Sequence, residues 1–331
     1  MATKHRGNNL ILYNEVNISN HLHQNIYNNH KLSYKTPTTK SSEELPIYLK
    51  YKLTRRIGSG SFGEVFIAEN MDGDEIAVKI EDKIQTPIPR IINEYKIYKY
   101  LRKHNFKKGI PRIYGYAETR NYTKMYMELL GPNLEILFNR SNRKFKLSTV
   151  LMIAIHMINL LRRLHNTKYI HRDIKPNNFL IGKKHRRDRL YIMDFGLSKK
   201  YIQNGKHIKY CDSRSLIGTA RYASINMHRG IEPTRRDELE SVGYMFIYFL
   251  NGVLPWQGLK KVKGIKHVDV IGYKKMNTPL NILCYNLPYC FRQYIEYCRN
   301  LKFAENPDYD YLCQLFYTFS RYTGIIPYFE W

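Results

Sequence analysis

Hydrophobic and polar positions change their period along the chain. Apolar and polar residues roughly alternate over Tyr51–Ile57, and short, mostly apolar runs follow at Glu64–Ala68 and Glu75–Ile80. Alternation places successive side chains on opposite faces of a strand, so the first stretch predicts a half-buried strand, and the two runs, bounded by turn residues, predict strands as well. Met71-Asp72-Gly73-Asp74 is a turn signal between the second and third strands. No helix intervenes, so the three form an antiparallel meander rather than a βαβ unit. Over Arg90–Arg102 the period becomes helical, with Glu94, Ile97, Tyr98 and Leu101 on one face. Tyr114–Ala117 and Lys124–Leu129 predict two further strands. Beyond Gly131-Pro132, Leu147–His165 predicts a long, mostly apolar helix, and Asp237–Leu250 and Tyr289–Asn300 predict two more. The expected fold class is α+β. A small antiparallel β-rich lobe (48–130) precedes a larger helical lobe (131–331), with a hinge near Glu128–Gly131. Residues 1–47, rich in Asn, His, Lys and Thr with weak apolar periodicity, predict a disordered extension.

The chain has 331 residues, enough for two domains or one large bilobed domain, and 43% apolar residues, too many for wholesale disorder. No run approaches the roughly 18 uncharged apolar residues that span a bilayer. The longest candidate, Val242–Leu250, is expected to be a buried helix. Met1–Asn20 lacks the apolar core of a signal peptide, and no lipidation motif is present. The five cysteines include no C-x-x-C pair, and an odd count fits a reducing compartment better than a disulfide framework or a zinc site. The expectation is an intracellular monomer with no membrane partner, cytoplasmic by default and with the nucleus as the alternative. Fifty-four Lys and Arg against 28 Asp and Glu give a net charge of +26, which favours anionic partners. Solvated surface lysine accounts for the charge equally well. Nucleic acid is one such partner, yet zinc fingers, RNP aromatics and basic heptads are all absent.

Four motifs carry chemistry. Gly58-Ser59-Gly60-Ser61-Phe62-Gly63-Glu64-Val65 reads G-x-G-x-x-G-x-V. Strands are predicted on both sides, so it is a hairpin lid over phosphates rather than a dinucleotide fingerprint, which needs a helix after it. Ala77-Val78-Lys79 places a lysine on the next strand, suited to the α and β phosphates of a nucleotide. Glu94, among apolar neighbours on its helix, suits a carboxylate that holds Lys79 extended. His171-Arg172-Asp173-Ile174-Lys175-Pro176-Asn177-Asn178 reads H-R-D-x-x-x-x-N. In it Asp173 would orient an attacking hydroxyl, Lys175 would lie near the transferring phosphate, and Asn178 would ligate a metal ion through its amide oxygen. Asp194-Phe195-Gly196 follows, with Asp194 as the second metal ligand. Any one of these recurs by chance; the ordered set does not.

The set resembles the eukaryotic protein kinases and, more narrowly, the casein kinase I family. Ser224-Ile225-Asn226, where most protein kinases carry A-P-E, is the sharpest sign. Leu129-Leu130-Gly131-Pro132-Asn133-Leu134, Arg235-Arg236-Asp237-Glu238-Leu239-Glu240 and Leu254-Pro255-Trp256-Gln257-Gly258 continue it, over about Tyr51 to Trp331. The resemblance, which with the Asn and Lys richness suggests a protist or viral member, implies a bilobal protein-kinase fold. It implies Mg2+ and ATP as cofactors, Ser or Thr as acceptor, and substrates with acidic or phosphorylated segments. It also implies that Met127 lies behind the adenine, that Glu128 and Leu130 offer it backbone groups, and that Ile57, Val65, Ala77 and Leu180 sandwich the ring. Met193 would sit just before the metal-binding Asp194. Cys211 stands where relatives tend to have an arginine of an anion site, and the basic run after Lys260 is altered. Both weaken the expectation of phosphate-primed recognition. The alternative is a kinase-fold scaffold that binds anionic partners with little catalysis; such scaffolds usually break one of the motifs, and none is broken here. A tyrosine kinase is the nearest competitor, against which Lys175 follows the Ser/Thr pattern.

Overall fold

The computed structural model describes residues 47–60, 63–84 and 90–331. The N-terminal extension lies almost wholly outside them, as do Ser61 and Phe62 of the glycine motif. The described residues fall into two compact units, the first made of those up to Ile92 together with Tyr114–Met127, the second of Asn93–Ile113 and Glu128–Trp331.

The first unit holds a five-stranded sheet in the order β1-β2-β3-β5-β4. Its strands are β1 (Lys52–Gly60), β2 (Gly63–Glu69), β3 (Glu75–Asp82), β4 (Ile113–Glu118) and β5 (Tyr122–Glu128). The first three form the expected antiparallel meander. Alternation sorts their side chains: Phe66, Ala68, Ile76, Val78 and Ile80 form one buried cluster with Ala117, Tyr122 and Tyr126. Ile47, from a single helical turn Ile47–Lys50, packs against that cluster with Tyr51 and Leu53. Each large apolar side chain buried there contributes about 1.5–3 kcal/mol. Val65, Ile67, Ala77 and Lys79 alternate with these residues and point to the other face, where Val65 pairs with Lys79 and Ile67 with Ala77.

The second unit is mainly helical. Most of α1 (Arg90–Lys103) belongs to it, and the face with Ile97, Tyr98 and Leu101 is buried as its period predicts. Then come α2 (Leu134–Arg140), α3 (Leu147–Asn166), α4 (Arg235–Asn251), α5 (His267–Met276), α6 (Tyr289–Asn300) and α7 (Tyr309–Thr323). Short strands β6 (Tyr169–Ile170), β7 (Phe179–Ile181), β8 (Leu190–Ile192) and β9 (Lys199–Lys200) lie between α3 and α4. By length and composition α3 is apolar enough to cross a membrane, contrary to the expectation that no run came close. It packs against α4 and α7 instead, and 67% of its 18-residue apolar window is buried inside the unit. Helix α4 is buried from Asp237 to Phe249, so it forms the centre of the unit. It starts where Asp237 Oδ2 accepts from Thr234 N at 2.8 Å, and it stops at Gly252 with φ +80°.

Candidate active site

In the first unit the described residues of the glycine motif lie at the ends of β1 and β2, with Gly58 opposite Val65, Ser59 opposite Glu64 and Gly60 opposite Gly63. Gly63 has φ +120°, and a Cβ there would lie 2.2 Å from Ile80 O on β3. Only glycine lets the hairpin lie this close to β3. Gly58 has no such constraint, since its added Cβ would meet Val65 Cβ at 3.9 Å. Glu64 is paired with Arg56 at 2.5 Å. Lys79 is 6% exposed, Ala77 5% and Met127 1%, whereas Ile57 is 44% exposed. The lysine is therefore not a solvated strand lysine, and Val65 and Ala77 share its face.

In the second unit β6 leads into the H-R-D loop. His171 is fully buried; its Nε2 lies 2.9 Å from Met193 O and its Nδ1 accepts from Asp173 N at 3.3 Å. One ring nitrogen donating and the other accepting fixes a single neutral tautomer. The backbone of the loop is held by Glu238 on α4, whose Oε1 accepts from His171 N at 2.5 Å and Arg172 N at 2.6 Å. Glu238 Oε2 lies 2.8 Å from His165 Nε2, and Tyr309 Oη lies 2.6 Å from His165 Nδ1. Burial holds the His165 imidazole below its ordinary pKa, although Glu238 works in the other direction. Arg172 sits at φ +68° and donates from Nε to Leu197 O at 2.6 Å; burial lowers its pKa.

Asp173 is 5% exposed and its two oxygens have separate partners. Oδ2 accepts from Lys175 Nζ at 2.6 Å, and Oδ1 from Thr219 Oγ1 at 2.8 Å. Asn178 donates from Nδ2 to Asp173 O at 2.8 Å and, at 3.4 Å, to Asp173 Oδ2. The β7–β8 pair then brings Asn178 and Asp194 together across sixteen positions of sequence. Phe179 pairs with Ile192, and Met193 N donates to Asn178 O at 3.0 Å. Asp194 has a left-handed backbone (φ +68°), and its N–H donates to Tyr98 Oη at 3.2 Å. Phe195 is fully buried, edge-on to Tyr98 (4.9 Å between centroids) and to His171 (5.1 Å).

Glu94, 1% exposed, joins Asp194 in the same place. A Cβ on Gly196 would lie 3.6 Å from Asp194 Oδ1 and 3.9 Å from Glu94 Oε2. The Tyr98 phenol is pushed well above its ordinary pKa by burial first and then by the Glu94 charge; the hydrogen bond from the Asp194 N–H opposes the shift, and the Asp194 charge adds a smaller push upward. Among the described residues no group of three or more His, Cys, Asp or Glu could hold a metal ion unaided. An amide oxygen and one carboxylate do fit a hard cation that keeps water and phosphate oxygens for its other positions.

Of the hinge residues, Glu128 is the most constrained. Its N donates to Arg112 O at 2.8 Å, its Oε2 accepts from Arg112 N at 3.0 Å, and its Oε1 pairs with Arg186 at 2.6 Å. That leaves its carbonyl as the group it could offer a ligand. Leu130 is 9% exposed, and Leu180 is bridged to Asn133.

Three residues of the site escaped the sequence reading. Thr219 stands in none of the motifs above, Glu238 stands only in a family-like segment, and Tyr98 only among the positions on one face of α1. Thr219 and Glu238 contact the loop from 46 and 67 positions away, where no local pattern marks them. The E-x-x-x-Y spacing from Glu94 was the available signal for Tyr98. The family model of the protein kinase domain matches residues 51–298. With that match over most of its length, and with the α+β architecture and loop geometry above, the chain belongs to the protein kinase family.

Proposed function

We propose that this protein kinase is a serine/threonine kinase of the casein kinase I type, acting on acidic acceptor segments. The observation that carries the reading is the double hold on Asp173. Lys175 on Oδ2 and Thr219 on Oδ1 fix both carboxylate oxygens beside the position an acceptor hydroxyl must reach. A lysine two residues after the loop aspartate is the Ser/Thr pattern, and Ser224-Ile225-Asn226 is the casein kinase I pattern.

The family implies ATP as phosphoryl donor, typically with Mg2+. Asn178 and Asp194 would hold the cation, which would supply positive charge against the phosphates. In this reading Lys79 binds the α and β phosphates, with Glu94 as its partner. Residues 58–65 cover the phosphates, and Ile57, Val65, Ala77, Leu180, Met127 and the Glu128 and Leu130 backbone groups receive the adenine. Asp173 accepts or orients the proton of the acceptor hydroxyl, and Lys175 steadies the charge on the transferring group. The net charge of +26 favours an acceptor with acidic neighbours. Unprimed acidic peptides are the expected substrates, because Arg214 and Lys199 are already paired with Glu232.

The test is transfer of labelled phosphate from Mg-ATP to casein and to acidic Ser, Thr and Tyr peptides, unprimed and phospho-primed. Wild type should label Ser or Thr, and Asp173→Asn should fall by about 10²–10⁴-fold with its fold intact. Undiminished transfer by Asp173→Asn, or label on Tyr alone, overturns the reading.

A further inference from the structure

Lys275 on α5 plays no part in the chemistry above, yet its side chain is fully buried. A lysine is almost never fully buried unless its donors are met. Here Nζ donates to Ala220 O at 3.1 Å, to Arg221 O at 3.4 Å and, more closely, to Ala223 O. It lies 3.2 Å from His228 Nε2 and sits over the rings of Tyr244 (4.8 Å) and Trp256 (4.9 Å). Trp256 Nε1 donates to Arg221 O at 2.7 Å, so two side chains converge on one short stretch of carbonyls.

Residues 220–223 belong to neither a helix nor a strand, so their carbonyls have no ladder to satisfy them. The turn itself is closed by Tyr222 N and Ala223 N, which donate to Thr219 O at 3.0 and 3.1 Å. Its first residue reaches Asp173 through Thr219 Oγ1. Just before it, Gly218 has φ +83°, and a Cβ there would lie 2.4 Å from Arg172 O. The turn is therefore pressed against the catalytic loop on one side and tied to α5 on the other.

We propose that Lys275 is a positioning residue for the acceptor side of phosphoryl transfer. It fixes the carbonyls of 220–223 and so holds Thr219 on Asp173. This rests on the protein kinase reading and deepens it. None of its ties involves the glycine hairpin, Asn178 or Asp194, so its loss acts on the acceptor and not on nucleotide binding. A misplacement of about 1 Å in a reacting group costs on the order of a hundredfold in rate, which makes such a tie consequential.

Lys275→Met fills the space between the two rings without a donor. With Mg-ATP and an acidic Ser peptide, its kcat/KM for peptide should fall roughly tenfold or more, while the KM for ATP keeps its wild-type value. Combined with Thr219→Val, the loss should be smaller than the product of the two single losses, because both act through one contact. Trp256→Phe keeps a ring over Nζ and removes only the donor to Arg221 O. It should show a smaller loss in the same sense, and it carries the test should Lys275→Met fail to fold. Amide hydrogen exchange at Tyr222 and Ala223 should be faster in either variant, a readout that needs no substrate and separates this proposal from the kinase reading. Unchanged peptide kinetics, losses that multiply with Thr219→Val, or unchanged exchange in a folded variant overturns it.

Discussion

The carboxylate of Glu232, 4% exposed, lies 2.8 Å from the Nε of Arg214. Its other oxygen meets Lys199 Nζ at 2.8 Å, and its backbone N–H donates to Cys211 O at 2.8 Å. One buried acid thus holds the segment from Lys199 to Arg214 at three points, where an added phosphate would otherwise supply the anion. A cavity of about 100 Å3 beside Arg172, Lys199 and Arg214 leaves room for such a group.

Glu232→Gln should therefore change specificity as well as stability. Arg214 is half exposed, so the stability loss is modest, about 1–3 kcal/mol in urea unfolding. The freed Arg214 and Lys199 should raise the ratio of primed to unprimed peptide turnover. A fall in stability with an unchanged ratio would show that primed acceptors do not reach this pair.

The glycine hairpin should separate packing from ligand chemistry. Gly63→Ala forces a Cβ against Ile80 O at positive φ and should cost about 2–3 kcal/mol, read as a lowered thermal midpoint. Gly58→Ala meets ordinary contact distance and should leave the midpoint nearly unchanged. Equal losses would contradict the close approach of β2 to β3.

How much of this was legible in the sequence follows from how local each signal is. Glu64–Ala68 and Glu75–Ile80 were legible as strands, but both runs are apolar at successive positions, so only the folded sheet separates the face of Phe66, Ala68, Ile76, Val78 and Ile80 from that of Val65 and Lys79. Ile97, Tyr98 and Leu101 marked the buried side of α1. Helices α5 and α7 went unread, because tyrosines, lysines and Thr, Ser and Gln break up their apolar positions. Asp308 was nonetheless a usable cap for α7, accepting from Tyr311 N at 2.9 Å, and Gly324 its stop. Asp173, Asn178 and Asp194 were found by motif, but their supports were not. Thr219, Glu238, Glu232 and Lys275 act through contacts that only the folded chain creates.

The two histidines that α5 and α4 cover make stability sensitive to acid. His228 is held at about 4 by burial and then by the Lys275 charge, with Asp269 and the Ala220 and Val268 backbone opposing. An unfolded histidine titrates near ~6.5. Between these values the unfolded chain binds a proton that the folded chain refuses, so stability is complete above the upper value and is lost as the pH falls toward the lower one. His165, lowered by burial, acts in the same sense. Lys275, which burial pushes to about 7, does likewise at higher pH: its contribution is complete above 10.5 and declines as the pH falls toward 7. The urea midpoint of wild type should therefore drop from pH 7 to pH 5, and His228→Gln should drop less. Carboxylate titration is common to both proteins and cancels. Parallel profiles would show that His228 takes up its proton without disturbing the fold.

Glu238 should tolerate Gln and not Ala. Its Oε1 accepts two backbone N–H groups of the catalytic loop, so Glu238→Ala leaves two buried donors unmet. That costs about 2–5 kcal/mol and takes Asp173 out of position. A glutamine keeps the accepting oxygen and presents an N–H where Glu238 Oε2 was. His165 Nε2 must then accept rather than donate, so the ring proton moves to Nδ1 and the Tyr309 hydroxyl becomes its acceptor. Both ends of that chain can reverse, because a hydroxyl donates or accepts. Glu238→Gln should thus keep most of its peptide turnover and stay folded. Tyr309→Phe added to it should remove the hydroxyl that receives the Nδ1 proton and cost about 1–3 kcal/mol. Nitrogen-15 shifts of the His165 ring should report the tautomer directly. An unchanged tautomer in a folded, active Glu238→Gln protein would mean that the glutamine binds the loop without His165.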